Sequence, residues 1–94
     1  MMTNRTLRLT SAFRRDLRRE RKTDRMIDSL LEPVVDDLLL GNTLSEKLKD
    51  HPLSGHWKPC RECHIKPDLL LVYDWEDETL ILVRLGSHSE LNLE

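Results

Sequence analysis

Leu7 and Leu9 alternate with polar neighbours in RTLRLT (5–10), the period-two pattern of a half-buried strand. The period then lengthens. Ala12, Phe13 and Leu17 are the few apolar residues of the next stretch, which predicts a helix from Ser11, as N-cap, to about Lys22. Ile27, Leu30, Leu31, Val34, Val35 and Leu38 form a longer apolar stripe, which predicts a second helix from after Asp24 to Leu40, stopped by Gly41. Pro33 lies inside that stripe, where proline costs about 3 kcal/mol, so a kink or a restart is expected there. Residues 42–56 read as loop, since Gly55 is flexible and Pro52 disfavours helix at His51. Three strand-length runs follow, HWKPCRECHI, DLLLVYDW and TLILVRLG, the last two joined by Glu76-Asp77-Glu78 as a buried hairpin. Leu69 to Val72 and Ile81 to Val83 are the expected core. The order is β-α-α-β-β-β, an α/β (α+β) chain.

With 94 residues the chain is expected to be one domain spanning 1–94. It is 38% hydrophobic and 34% charged, which suits a globular protein with a solvated surface. No run approaches the roughly 18 apolar residues of a membrane span, and residues 1–16 hold no apolar signal-peptide core. The cytoplasm is therefore expected, with Cys60 and Cys63 kept reduced. Net charge is −2, but residues 1–26 carry nine Lys or Arg against three acids and the rest six against fourteen. Arg14, Arg15, Arg18, Arg19 and Lys22 recur at helical spacing as one basic face. Such a face is either solvated or turned to a polyanion or an acidic partner.

Cys60-Arg-Glu-Cys63-His64 has the letters of a haem-attachment string and of half a zinc site. The chain shows no export signal for the first and no second closely spaced ligand pair for the second, so neither haem nor zinc is expected. On a strand, period two sets Cys60, Glu62 and His64 on one face and Arg61 and Cys63 on the other, so the thiols diverge. The same alternation aligns Glu62 with His64, and Asp68 follows. A carboxylate and an imidazole facing one way suit proton transfer, though a solvated strand face reads the same. Trp57 and Trp75 are read as sheet-edge packing or as platforms for bases.

The segment KDHPLSGHWKPCRECHIKPDLLLVY (49–73), followed by RLGSHSEL (84–91), resembles the YafQ branch of the RelE-like toxins of the RelE/ParE superfamily. In that branch K-D-H-P-L-x-G-x-W-K leads to R-D-x-H-x-x-P-D and then to R-x-G-T/S-H. The resemblance implies two N-terminal helices packed on a mostly antiparallel sheet. It implies an endoribonuclease that cuts messenger RNA in the ribosomal A site and is held inactive by a cognate antitoxin. His51, His64, Asp68 and His88 fall on the family's motif positions, Arg84 on the arginine before G-S-H, and Glu62 where the pattern has Asp. His56 stands where the pattern is small and polar, and Asn92 where it has an aromatic, a position from which a ring would stack on a base. Metal-independent attack by a 2′-OH needs a base, an acid and positive charge at the phosphate. His51, His64, His88, Asp68 and Glu62 are the candidates for proton transfer, and Arg84 for the phosphate. Arg14, Arg15, Arg18, Arg19 and Lys22 could dock ribosomal RNA. The alternative is a non-catalytic interaction or nucleic-acid-binding module of the same fold.

Overall fold

The computed structural model describes residues 5–92. The chain runs β1 (Thr6–Leu9), α1 (Ser11–Thr23), α2 (Ile27–Leu40), a 3-10 turn (Glu46–Leu48) and β2 (His51–Pro52). A second 3-10 turn (Gly55–Trp57) follows, then β3 (Arg61–Lys66), β4 (Leu69–Glu76), β5 (Thr79–Gly86) and α3 (His88–Leu91). The strands form one sheet in the order β1-β5-β4-β3-β2, antiparallel throughout except for β1 beside β5. No helix among the described residues is long and apolar enough to cross a membrane.

Alternation decides which side chains go where. Leu69, Leu71 and Tyr73 of β4 join Leu80, Leu82 and Leu85 of β5 under Phe13, Ile27, Leu31, Val34 and Leu38 of the helices. Leu70 and Val72 face the other way, beneath Leu91 of α3. Strand β4 is thus buried on both faces, which explains its unbroken apolar run. A register shift opposite Val72 and Tyr73 pairs them with Arg84 and Leu82 and leaves Val83 as the extra residue. This bulge lets Leu82 and Leu85, three apart, face the same helices.

Three local expectations change. The N-cap of α1 is Thr10, not Ser11: its hydroxyl accepts from Phe13 N–H at 2.9 Å and donates to Val83 O at 2.7 Å. Helix α2 runs through Pro33 without restarting. Burial of Ile27, Leu31, Val34 and Leu38, at roughly 1.5–3 kcal/mol each, outweighs the proline cost of about 3 kcal/mol. The strand expected from His56 starts only at Arg61, because the Gly55–Trp57 turn and Pro59, which lacks an N–H, interrupt it. The two-residue β2 and the short α3 are additions to the expected order. Gly41 does stop α2, in the left-handed region at φ 78°.

The edge of the sheet carries one further device. Strand β1 pairs with β5 only over Thr79–Leu82, leaving the backbone of Leu85 open. Helix α1 closes that edge with side chains: Asp16 Oδ2 accepts Leu85 N–H at 2.9 Å, and Arg19 Nη2 donates to Leu85 O at 2.9 Å. Asp16 is buried and also receives Arg84 Nε at 2.7 Å and Arg19 Nη1 at 3.1 Å. Burial alone would push this carboxyl up. The hydrogen bonds from Arg84 and Leu85 and the charges of Arg84 and Arg19 outweigh it and hold Asp16 below the ordinary carboxylate value.

Asp16→Asn should therefore destabilise the fold by about 2–4 kcal/mol in urea unfolding at pH 7. Because the folded-state value is lowered, this stability is present above the ordinary carboxylate value and is lost as pH falls through and below about 4. The gap between wild type and Asp16→Asn should narrow toward pH 3, and a gap constant from pH 7 to 3 would refute the assignment.

Candidate active site

The site lies on the sheet face opposite α1 and α2. On β3, Cys63 points into the helix-side core, where burial pushes its thiol up to about 12. Glu62 and His64 therefore point the other way, as the alternation predicts. Cys60 is half-buried before β3, its thiol also raised, first by burial and then by the charge of Asp74. Unreactive thiols on this scale are poor metal ligands.

The short β2 sets His51 directly across from Glu62, and His51 Nε2 lies 3.0 Å from Glu62 Oε1. On its other side His51 Nδ1 meets Lys49 O at 2.7 Å. A carbonyl only accepts, so Nδ1 carries a proton. Nε2 and Oε1 cannot then meet as two bare acceptors, so a proton lies between them. His51 and Glu62 hold a transferable proton in common.

His88 is the first residue of α3, which Ser87 and Glu90 start as a reciprocal capping box. Its Nδ1 lies 3.0 Å from Asp68 Oδ1, and its backbone N–H donates to the same oxygen at 3.3 Å. The imidazole hydrogen bond is the first cause holding the Asp68 carboxyl below its ordinary value. With the proton on Nδ1, a neutral His88 keeps its lone pair on Nε2. His64 stands between the two pairs, its Nε2 4.0 Å from Glu62 Oε1 and its ring edge-on to that of His88 at 5.7 Å between centroids. His51, Glu62, His64, Asp68 and His88 thus converge from β2, β3, the β3–β4 turn and α3.

Three residues that the sequence reading passed over hold His51 in place. Asp50 Oδ1 accepts from Tyr73 OH at 2.7 Å and from Arg61 Nε at 3.2 Å, pinning the loop to the sheet. The signal available was alternation, which turns Asp50 away from His51 and toward the buried Tyr73. Glu62, His64 and His88 each offer an atom within 4.8 Å of the others, two imidazoles and a carboxylate that could hold a metal ion such as zinc or copper. The sequence reading expected no metal site.

The basic residues divide. Arg84 sits in the same sheet row as Glu62 and Val72, but its Nε and Nη2 are bound to Asp16. Arg19, though exposed, is engaged by Asp16, Glu20, Glu90 and the Leu85 carbonyl, so it is also a link within the fold. Arg14, Arg15, Arg18 and Lys22 are exposed and, among the described residues, have no ion pair. Trp57 packs into the cluster under α3, and Trp75 packs on the helix side with Arg5 over its ring at 5.4 Å.

Residues 5–93 match the family model described as "Bacterial toxin of type II toxin-antitoxin system, YafQ". A relative from Escherichia coli strain B / BL21-DE3, "mRNA interferase toxin YafQ", is 33% identical over 92 residues, covering 96% of this chain and 98% of that protein. The K12 protein of the same name is 45% identical over 56 residues, covering 57% of this chain and 61% of that protein. Among solved structures, a metal-bound toxin from Helicobacter pylori superposes with a TM-score of 0.83 at 49% identity, covering 92% of this chain and 97% of that one. The toxin in the E. coli DinJ–YafQ complex does so with a TM-score of 0.83 at 29% identity, covering 94% and 98%.

The tautomers are open to direct measurement. Long-range proton–nitrogen spectra at neutral pH should show Nδ1 of both His51 and His88 protonated. Asp68→Ala should release His88 from that form and leave His51 unchanged. A His88 spectrum indifferent to Asp68→Ala would break the pair.

Proposed function

The chain belongs to the YafQ family of type II toxin–antitoxin toxins, and so is an mRNA interferase, an endoribonuclease; we propose that it cuts messenger RNA in the ribosomal A site by metal-independent proton transfer. The observation that carries the mechanism is the Asp68–His88 pair, which orients His88 Nε2 as a bare acceptor beside His64 and Glu62. His88 Nε2 takes the proton of the 2′-OH, the 2′-oxygen bonds to phosphorus, and the bond from phosphorus to the 5′-oxygen breaks. His51, which shares a proton with Glu62, protonates the departing 5′-oxygen. The products are a 2′,3′-cyclic phosphate and a free 5′-hydroxyl, so charge and protons balance. Asp68 stabilises the imidazolium that forms on His88. Arg84, held rigid by Asp16, presents its remaining N–H groups to the phosphate.

The exposed Arg14, Arg15, Arg18 and Lys22 give a sequence-blind contact to ribosomal RNA phosphates. A cognate antitoxin is the expected protein partner, as DinJ is of the E. coli toxin in the solved complex.

Primer extension on a reporter mRNA in a reconstituted translation reaction tests the reading. Wild type should cut within the reading frame only when ribosomes are present, and His88→Ala should lower the rate by about 10²–10⁴-fold with an unchanged circular dichroism spectrum. Absence of cleavage by folded, antitoxin-free protein would favour the non-catalytic module. Arg15→Glu combined with Arg18→Glu should weaken ribosome pelleting and reduce the slope of log affinity against log salt by roughly 2. An unaltered slope would take the α1 face out of ribosome binding.

A further inference from the structure

Helix α1 reaches the Asp68–His88 pair across an open gap. A recess of about 550 Å³, whose lining includes Arg19, Glu20, Lys66, Asp68, Ser87 and Glu90, lies between the end of α1 and the pair, so close packing does not set where the pair sits. Two ion-pair clasps span the gap. In the first, Arg19 Nη2 stands 3.7 Å from Glu90 Oε1, the oxygen that also accepts Ser87 N–H at 2.8 Å in the capping box of α3. Arg19 is itself fixed by Asp16 and the Leu85 carbonyl, so α3, which begins with His88, is tied to a rigid anchor. In the second, Lys66 Nζ meets Asp24 Oδ2 at 2.8 Å. Asp24 is the C-cap of α1, and its Oδ1 takes Met26 N–H at 2.8 Å, so this anchor is rigid too. Lys66 pairs with Leu69 across the turn Pro67-Asp68, and fixing Lys66 therefore fixes the turn that carries Asp68.

The first clasp also gives a physical reason for the glycine of the R-x-G-S-H string. Gly86, buried at the end of β5, lies directly beneath it: a Cβ there would come within 3.1 Å of Glu90 Oε1 and 3.3 Å of Arg19 Nη2. A side chain would push both groups off the strand, so close approach is what requires glycine here. From these contacts we infer that Arg19, Glu90, Asp24 and Lys66 are positioning residues for cleavage: one clasp sets His88, the other sets Asp68, and together they hold the hydrogen bond that orients His88 Nε2. The inference rests on the mRNA-cleavage reading and deepens it. Ion pairs as exposed as these add little to global stability. Displacing a catalytic group by about 1 Å can nonetheless cost roughly 10²-fold in rate, so the clasps act through geometry.

Glu90→Gln keeps the capping acceptor and Asp24→Asn keeps the Met26 contact, so each removes a charge and leaves the local fold. In long-range proton–nitrogen spectra of the free, full chain, each variant should move the His88 ring nitrogens toward their positions in Asp68→Ala while those of His51 stay in place. In the cleavage assay with ribosomes, each should lower kcat about 3- to 30-fold with KM within about twofold of wild type, and the urea midpoint should hardly move. Gly86→Ala should act in the same direction as Glu90→Gln. The control is Asp28→Asn, which breaks the Arg21–Asp28 pair at 3.1 Å between α1 and α2 and should change none of these readings. Wild-type kcat with an unmoved His88 ring in either variant would overturn its clasp, as would an equal loss of kcat in Asp28→Asn. A rise in KM at constant kcat would make these residues part of RNA binding and overturn their positioning role. Shifts at His88 in a chain that cuts no mRNA would uphold the clasps and remove the nuclease reading.

Discussion

Asp16 is the point at which helix, sheet and site are fastened together. It stands in for a missing stretch of edge strand by taking the N–H of Leu85, and Arg19 completes the substitution at the carbonyl. Open edge groups must be paired, covered or exposed to water, and here two side chains one helical turn apart do what a longer β1 would have done. The consequence reaches the site, because Leu85 is three residues from His88 and β5 ends at Gly86. A carboxylate on α1 thereby fixes where α3 begins. The arrangement sets two terms in opposition: desolvation disfavours a buried anion, while two guanidinium groups and a backbone N–H favour it.

Much of the fold was legible because β4 and β5 carry strong apolar patterns and α2 a long stripe. The split of Glu62 and His64 from Cys63 also followed from period two alone. What escaped the sequence depends on contacts across long separations. Asp16 looked like a minor acid in a basic helix, yet it shares a face with Phe13 and Leu17, and a lone acid on the apolar side of a basic helix is a signal of a buried partner. Arg19 reads in the sequence as one member of a basic face, solvated or turned to phosphate, because its contacts with Asp16 and the Leu85 carbonyl leave no trace in the spacing of the basic residues. Helix α3 did have a local signature, since Ser87 and Glu90 have capping-box spacing. Strand β2 had none, because two residues cannot show a period. The convergence of His51 on Glu62 was for that reason a matter of family resemblance and not of pattern.

The site divides its protons by what holds each imidazole from behind. A backbone carbonyl lies behind His51 and a carboxylate behind His88, and both fix a proton on Nδ1. In front, His51 faces the buried Glu62 and His88 faces His64. One ring is thus presented with a proton and the other without, from the same residue type. Environment makes the difference, as it does where paired acids and bases carry distinct roles. Glu62 is one methylene longer than an aspartate, and that length carries its carboxylate to within 3.0 Å of His51 Nε2.

Helix α3 completes the set of elements that position the site. It carries His88 at its start and Asn92 just past its end, and at 1.5 Å of rise per residue these are separated by about 6 Å along its axis. Leu91, buried on Leu70 and Val72, prevents the helix from sliding on the sheet. A short helix with a capping box at one end, a left-handed residue at the other and an apolar foot in the middle is a rigid spacer. On it, the place of His88 beside Asp68 is set by backbone geometry, since the His88 N–H and Nδ1 both meet Asp68 Oδ1.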